Sequence, residues 1–148
     1  MATSSEKKPK KRYNILIVDD DVLIRQFIDD VLQEFDYNTL HASRGEEAFE
    51  ILKKKEVDLI ILDLLLPGKH GFYICDNIRQ VNQWRDIPIL IVTAVYTRPK
   101  YSYQAKEVGA NAFLTKPFKA KALVDEVQRL LQIKIEKIKD APDKLPVK

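Results

Sequence analysis

The 148-residue chain has one cysteine, Cys75, so no internal disulfide can form and a metal centre built from several thiolates is excluded. Nor is there an apolar run of the roughly 20 residues that spans a bilayer. The strongest runs, at residues 59–66 and 87–95, stop far short of that. The start lacks the apolar core of a signal peptide, because Ile15 to Val18 gives way at once to Asp19. Internal repeats are missing too. These absences exclude a membrane span and a thiolate centre, and the expectation is a cytoplasmic protein.

With 45% hydrophobic and 32% charged residues, the composition is that of one globular domain. The formal charge of +3 is unevenly spread. Residues 1–12 carry Lys7, Lys8, Lys10, Lys11 and Arg12 against Glu6, a net +4, and residues 134–148 carry a net +2, which leaves a mildly acidic body. We expect a basic disordered tail over 1–12, a domain over 13–133, and a helix extension with a C-terminal tail over 134–148. Basic ends of this kind most often keep a terminus solvated, and no direct DNA binding is expected from the domain itself.

Hydrophobic patterning alternates between two periods. Asn14 to Val18, Tyr37 to Ala42, Val57 to Leu62, Ile87 to Thr93 and Ala112 to Thr115 read as strands. Between and after them, helical spacing marks residues from Val22 to Phe35, from Ala48 to Leu52, from Phe72 to Ile78, from Tyr101 to Val108, and from Lys119 onward. Asp21 reads as a cap, and Ser43 with Glu46 as a capping box. Strands alternating with helices imply a parallel α/β sheet, doubly wound, with helices on both faces.

In such a sheet, ligands gather at the carboxyl ends of the strands. That edge collects Asp19 and Asp20 after the first strand, Asp63 after the third, Thr93 ending the fourth and Lys116 after the fifth. Converging carboxylates repel one another unless a cation joins them, and hard oxygen ligands favour Mg²⁺. A lysine and a hydroxyl suit the oxygens of a phosphoryl group carried on a carboxylate. Taken singly, each residue has a plainer reading: a cap, a strand end, a surface turn. Their joint placement is what points to chemistry.

Val18, Asp19 and Asp20, then Leu62 and Asp63 with Leu66, Pro67, Gly68 and Gly71, then Thr93 and Ala94, Gly109 and Ala110, and Leu114 through Phe118 together resemble a response-regulator receiver domain. The resemblance covers about Tyr13 to Ile133. It implies a five-stranded (βα)5 flavodoxin-like sandwich in a two-component phosphorelay. Asp63 would be the phosphoacceptor. Asp19, Asp20, Asp63 and the backbone carbonyl of Leu65 would hold Mg²⁺, and Thr93 and Lys116 would contact the phosphoryl group. The Lys116-Pro117 peptide would be cis, and Thr93 and Phe113 would form the switch. Implied partners are a sensor histidine kinase or phosphotransfer protein and a downstream protein. A homodimer through the fourth helix, fifth strand and fifth helix is a further implied assembly. Such a chain catalyses its own phosphorylation and slow dephosphorylation, while serving mainly as a signalling protein.

The chain departs from the family pattern in places. His70 stands where an acid is usual, and reads as a solvated loop residue. Phe113 lacks a tyrosine hydroxyl. The span from Thr93 to Lys116 is one residue longer than usual, with Arg98 and Pro99 inside it. Leu65 and Val95 occupy the two positions that tune hydrolysis, and both are apolar, so slow loss of the phosphoryl group is expected. Three rivals stand beside the stand-alone switch: a receiver fragment of a larger regulator, a phosphorylation-independent binding module, and an aspartate-nucleophile phosphatase of haloacid-dehalogenase type. The last needs an acid where Leu65 stands.

Overall fold

The apolar runs become strands because both of their faces are covered. A computed structural model describes residues 12–68, 70–94, 107 and 109–144, with side chains to residue 133. Strands β1 (Asn14–Val18), β2 (Asn38–Ala42), β3 (Leu59–Leu62), β4 (Ile89–Thr93) and β5 (Ala112–Thr115) form one sheet in the order β2-β1-β3-β4-β5. All neighbours are parallel. Helices α1 (Val22–Gln33), α2 (Gly45–Lys54), α3 (Gly71–Arg79) and α4 (Ala120–Lys144) complete the described elements. The helix expected over Tyr101 to Val108 lies outside the described residues, apart from Glu107.

Successive strand residues point to opposite faces, and each face has its own core. Leu16, Val18, Ile60, Leu62, Ile89 and Ile91 pack with Ala48 and Leu52 of α2 and Ile74, Cys75 and Ile78 of α3. Ile15, Ile17, Leu59, Ile61, Leu90 and Val92 pack with Ile28, Val31 and Leu32 of α1 and Leu123, Val127, Leu130 and Leu131 of α4. Each fully buried aliphatic side chain contributes about 1.5–3 kcal/mol of transfer free energy. Cys75 is part of this packing, as expected. Burial pushes its thiol up to about 11. No helix of the described residues is long and apolar enough to cross a membrane.

Several element ends differ from the sequence reading. β3 begins at Leu59 rather than Val57, because buried Asp58 turns its carboxylate onto the Asn14 N–H at 2.8 Å. β4 begins at Ile89, after Pro88, which has no N–H to donate but accepts from Ile60 at 2.9 Å. The capping box is shifted by one residue. α2 starts at Gly45 with Arg44 at the cap position, which makes Glu47 the third helical residue in place of Glu46. The Ser43 amide and hydroxyl donate to Glu47 Oε1 at 2.6 and 2.8 Å, and hold that carboxyl below the usual range. At Gly45 a Cβ would come within 2.9 Å of Ile74 Cδ1, so any larger residue there would push the Ile74 side chain aside. At the chain's far end, helical backbone continues past Pro142 to Lys144.

The amino ends of the strands are tied by one side chain. Arg79, last in α3, donates to the carbonyls of Gly109, Arg85 and Ile87 at 2.9, 3.0 and 2.8 Å and to Asn111 Oδ1 at 2.8 Å. Asn111 Oδ1 also accepts from the Ile89 N–H at 2.8 Å, so one guanidinium joins α3 to the starts of β4 and β5. Arg79→Met should cost about 2–3 kcal/mol, since a charged donor is removed from several acceptors at once. Urea unfolding measures it, and a loss below about 0.5 kcal/mol would show that the tie is dispensable.

Candidate functional site

β1 pairs with β2 on one side and β3 on the other, so the strand order reverses between β1 and β3. A crevice opens at the carboxyl ends there. Ladder bonds carry the chain into it. The Asp19 N–H donates to Ala42 O at 3.1 Å, the Asp63 N–H to Val18 O at 3.0 Å, and the Lys116 N–H to Thr93 O at 2.9 Å. Four of the expected residues therefore arrive together from four strands. The Lys116 ammonium bridges two carboxylates, 2.7 Å from Asp19 Oδ2 and 3.2 Å from Asp63 Oδ2. The other oxygens are held by backbone: Asp19 Oδ1 accepts from the Asp21 N–H at 2.9 Å, and Asp63 Oδ1 from the Leu65 N–H at 3.3 Å.

Burial gives the site its character. Asp19, Asp63 and Thr93 are 3%, 7% and 0% exposed, whereas Asp20 lies at the surface. Burial raises the Asp19 pKa, helped by the negative charge of Asp63 and opposed by the hydrogen bonds from Lys116 and Asp21. Burial also works against the Lys116 ammonium, but Asp19 and Asp63 more than offset it, and its pKa lies above the ordinary lysine value. Lys116 is thus a fixed cation at neutral pH. The Thr93 hydroxyl is buried with no hydrogen-bond partner among the described residues, which leaves a donor for an incoming acceptor.

One carboxylate oxygen from each of Asp19, Asp20 and Asp63 lies within 4.8 Å of the others. An octahedral Mg²⁺ places its ligand oxygens about 3–4 Å apart and takes carboxylates and carbonyls, so the donor set suits that ion after a small closure. The exposed Leu65 side chain sits two residues beyond Asp63, on the loop that would offer the carbonyl ligand. Phe113 lies in β5 opposite Ile91 and packs against the α2 and α3 core. Val95 lies outside the described residues. The Lys116-Pro117 peptide is cis.

His70 is exposed in the loop before α3, as expected, and it has a role that the sequence reading did not give it. It is the N-cap of α3, with Nδ1 accepting from the Phe72 N–H at 3.1 Å, a role that requires an unprotonated nitrogen. Burial lowers its pKa, and the charge of Asp63 pulls the other way. The next residue must be glycine. A Cβ on Gly71 would lie 2.6 Å from Asp63 O, so its absence lets α3 begin against the Asp63 loop. Arg25 was missed by the sequence reading. Its guanidinium donates to the main-chain oxygen of Asp19. The one available hint was an arginine between Ile24 and Ile28, on a helix whose other face is polar.

The chain belongs to the response regulator receiver domain family, which matches residues 15–128. The chemotaxis protein CheY-3 of Vibrio cholerae is 31% identical over 123 residues, covering 82% of this chain and 94% of that protein. The phosphate regulon transcriptional regulatory protein PhoB of Pseudomonas aeruginosa is 35% identical over 118 residues, covering 80% of this chain and 51% of its own length. A solved structure of CheY4 from Vibrio cholerae superposes with a TM-score of 0.77 at 33% identity, covering 81% of this chain and 99% of that one. The chain thus spans about half the length of several curated relatives it matches.

A pH dependence follows from Asp19. Its folded pKa is raised above the ordinary 3.8, so the native state holds more protons than the unfolded chain just above that pH, and stability falls as pH rises through the window. Burial of this carboxyl therefore costs stability once the pH is above that window. Metal-free Asp19→Asn should melt above the wild type at pH 7, with the gap closing as pH falls below 3.8. An Asn variant that melts lower at pH 7 would contradict this.

Proposed function

We propose that the chain is a phosphoryl-accepting signalling switch, in which Asp63 takes a phosphoryl group from the phosphohistidine of a sensor histidine kinase or phosphotransfer protein. The observation that carries this reading is the Lys116 ammonium held between Asp19 and Asp63, beside the unpartnered hydroxyl of Thr93. Asp63 supplies the attacking carboxylate oxygen. Lys116 neutralises charge on the transferred group, and Thr93 donates a hydrogen bond to one of its oxygens. Asp19, Asp20, Asp63 and the Leu65 carbonyl would hold Mg²⁺, which when bound screens the approach of two anions. Apolar side chains are exposed on the elements that follow the site acids: Val22, Leu23 and Phe27 on α1, at 62%, 79% and 41%, and Leu65 after Asp63, at 43%. They provide a dry contact for the protein that brings the phosphohistidine.

Movement of Thr93 toward the phosphoryl group would draw Phe113 inward and shift the balance between two packings of the surface around β5 and α4. That surface then controls a downstream protein or a second copy of the chain. Leu65 and Val95 carry no group that could orient an attacking water, which makes the phosphorylated state long-lived.

Acetyl phosphate with Mg²⁺ tests the assignment. Wild-type protein should gain one phosphoryl group by intact mass and lose it slowly once the donor is removed. Asp63→Asn should gain none, and labelling that survives the substitution would move the acceptor elsewhere.

A further inference from the structure

Every polar group of Asp19 is assigned, whereas Asp20 has nothing to hold its side chain. The Asp19 N–H is bound to Ala42, Oδ1 to the Asp21 amide and Oδ2 to Lys116. Its carbonyl accepts from Arg25 Nη1. The exposed Asp20 carboxylate makes no hydrogen bond among the described residues. Its direction is therefore set by the main chain, and first by the peptide that joins Asp19 to Asp20. The oxygen of that peptide is the atom that Arg25 grips.

Arg25 is well placed to act as a clamp. It stands in the first turn of α1, with its own N–H bonded to Asp21 O at 3.0 Å, so the helix start and the acidic loop are tied twice by one residue. Its Nε is buried without a hydrogen-bond partner among the described residues, while the residue as a whole is half-buried. The charge also reaches across to α2, where it adds a small downward push on the Glu47 carboxyl. Lys116 is the cation that contacts the carboxylates. Arg25 touches only backbone, and so competes with no ligand atom.

We propose that Arg25 is a positioning residue that orients Asp20 toward a divalent cation, by fixing the Asp19–Asp20 peptide from helix α1. The cation part of this proposal rests on the receiver reading of the site; the clamp on the peptide does not. Removing Arg25 has two opposed effects. Loss of the tie frees Asp20 and weakens cation binding, while loss of a positive charge near three acids strengthens it. The proposal requires the first to win, because the guanidinium is bound to the loop itself.

Two measurements on the full chain decide it, using Arg25→Met, which keeps the apolar stem, and Arg25→Lys, which keeps a donor. In metal-free protein, amide exchange at Asp21, whose N–H is bonded to Asp19 Oδ1, should quicken about tenfold in the Met variant and less in the Lys variant, as expected when a supporting contact of a ligand loop is cut. By calorimetry with Mg²⁺ alone, the dissociation constant should rise about tenfold in the Met variant and be partly restored in the Lys variant. Wild-type exchange at Asp21 together with unchanged Mg²⁺ affinity in a folded Met variant would overturn the proposal. Tighter Mg²⁺ binding would do so too, by showing that charge outweighs the tie. Should wild-type protein bind no Mg²⁺, the receiver chemistry falls, and the exchange measurement still decides the clamp. If Arg25→Met does not fold, the Lys variant carries both measurements with smaller shifts.

Discussion

A single ammonium held between two buried carboxylates, Lys116 against Asp19 and Asp63, is the contact on which the rest of the site depends. Two carboxylates at such burial would repel each other and draw protons, and the raised pKa of Asp19 records part of that cost. The lysine offsets it from the far side of the crevice, so the charge balance spans β1, β3 and β5. Its aim depends on the ladder that brings residue 116 beside Thr93. A cation at the three acids and a phosphoryl group on Asp63 would enter the same balance.

The two ends of the sheet divide the work. At the amino ends, Arg79 and Asn111 satisfy backbone groups with short neutral and charge-assisted bonds, and leave nothing unpaired for chemistry. At the carboxyl ends the opposite holds. Among the described residues the Thr93 hydroxyl has no hydrogen-bond partner, Asp20 stands in solvent, and burial raises the pKa of Asp19. Stability is concentrated where function is absent, and unsatisfied potential is concentrated where ligands arrive.

The fold was legible in the sequence because buried parallel strands give near-continuous apolar runs, and those from Ile15 and Ile89 could hardly be read otherwise. Boundaries were less so. Asp58 and Pro88 each sit inside an apolar run, and whether a strand starts before or after them turns on one hydrogen bond made across the sheet. The acids, Thr93 and Lys116 could be placed at one edge by topology alone. Arg25 and His70 could not, since both act on backbone atoms and, unlike the aspartate that caps α1, neither arginine nor histidine is a residue type that marks such a contact. The shifted cap at Ser43 and Glu47 comes from a one-residue change in where α2 begins, which spacing alone does not settle.

The central claim is that the carboxylate of Asp63 carries an acyl phosphate within this charge balance. Borohydride reduction tests it on the unmodified chain, because hydride converts an aspartyl phosphate to homoserine at the acceptor position. Protein treated with acetyl phosphate and Mg²⁺, then with borohydride, should yield homoserine at position 63 by peptide mass spectrometry, and none when Mg²⁺ is chelated. Homoserine at another aspartate, or at none, would contradict the account.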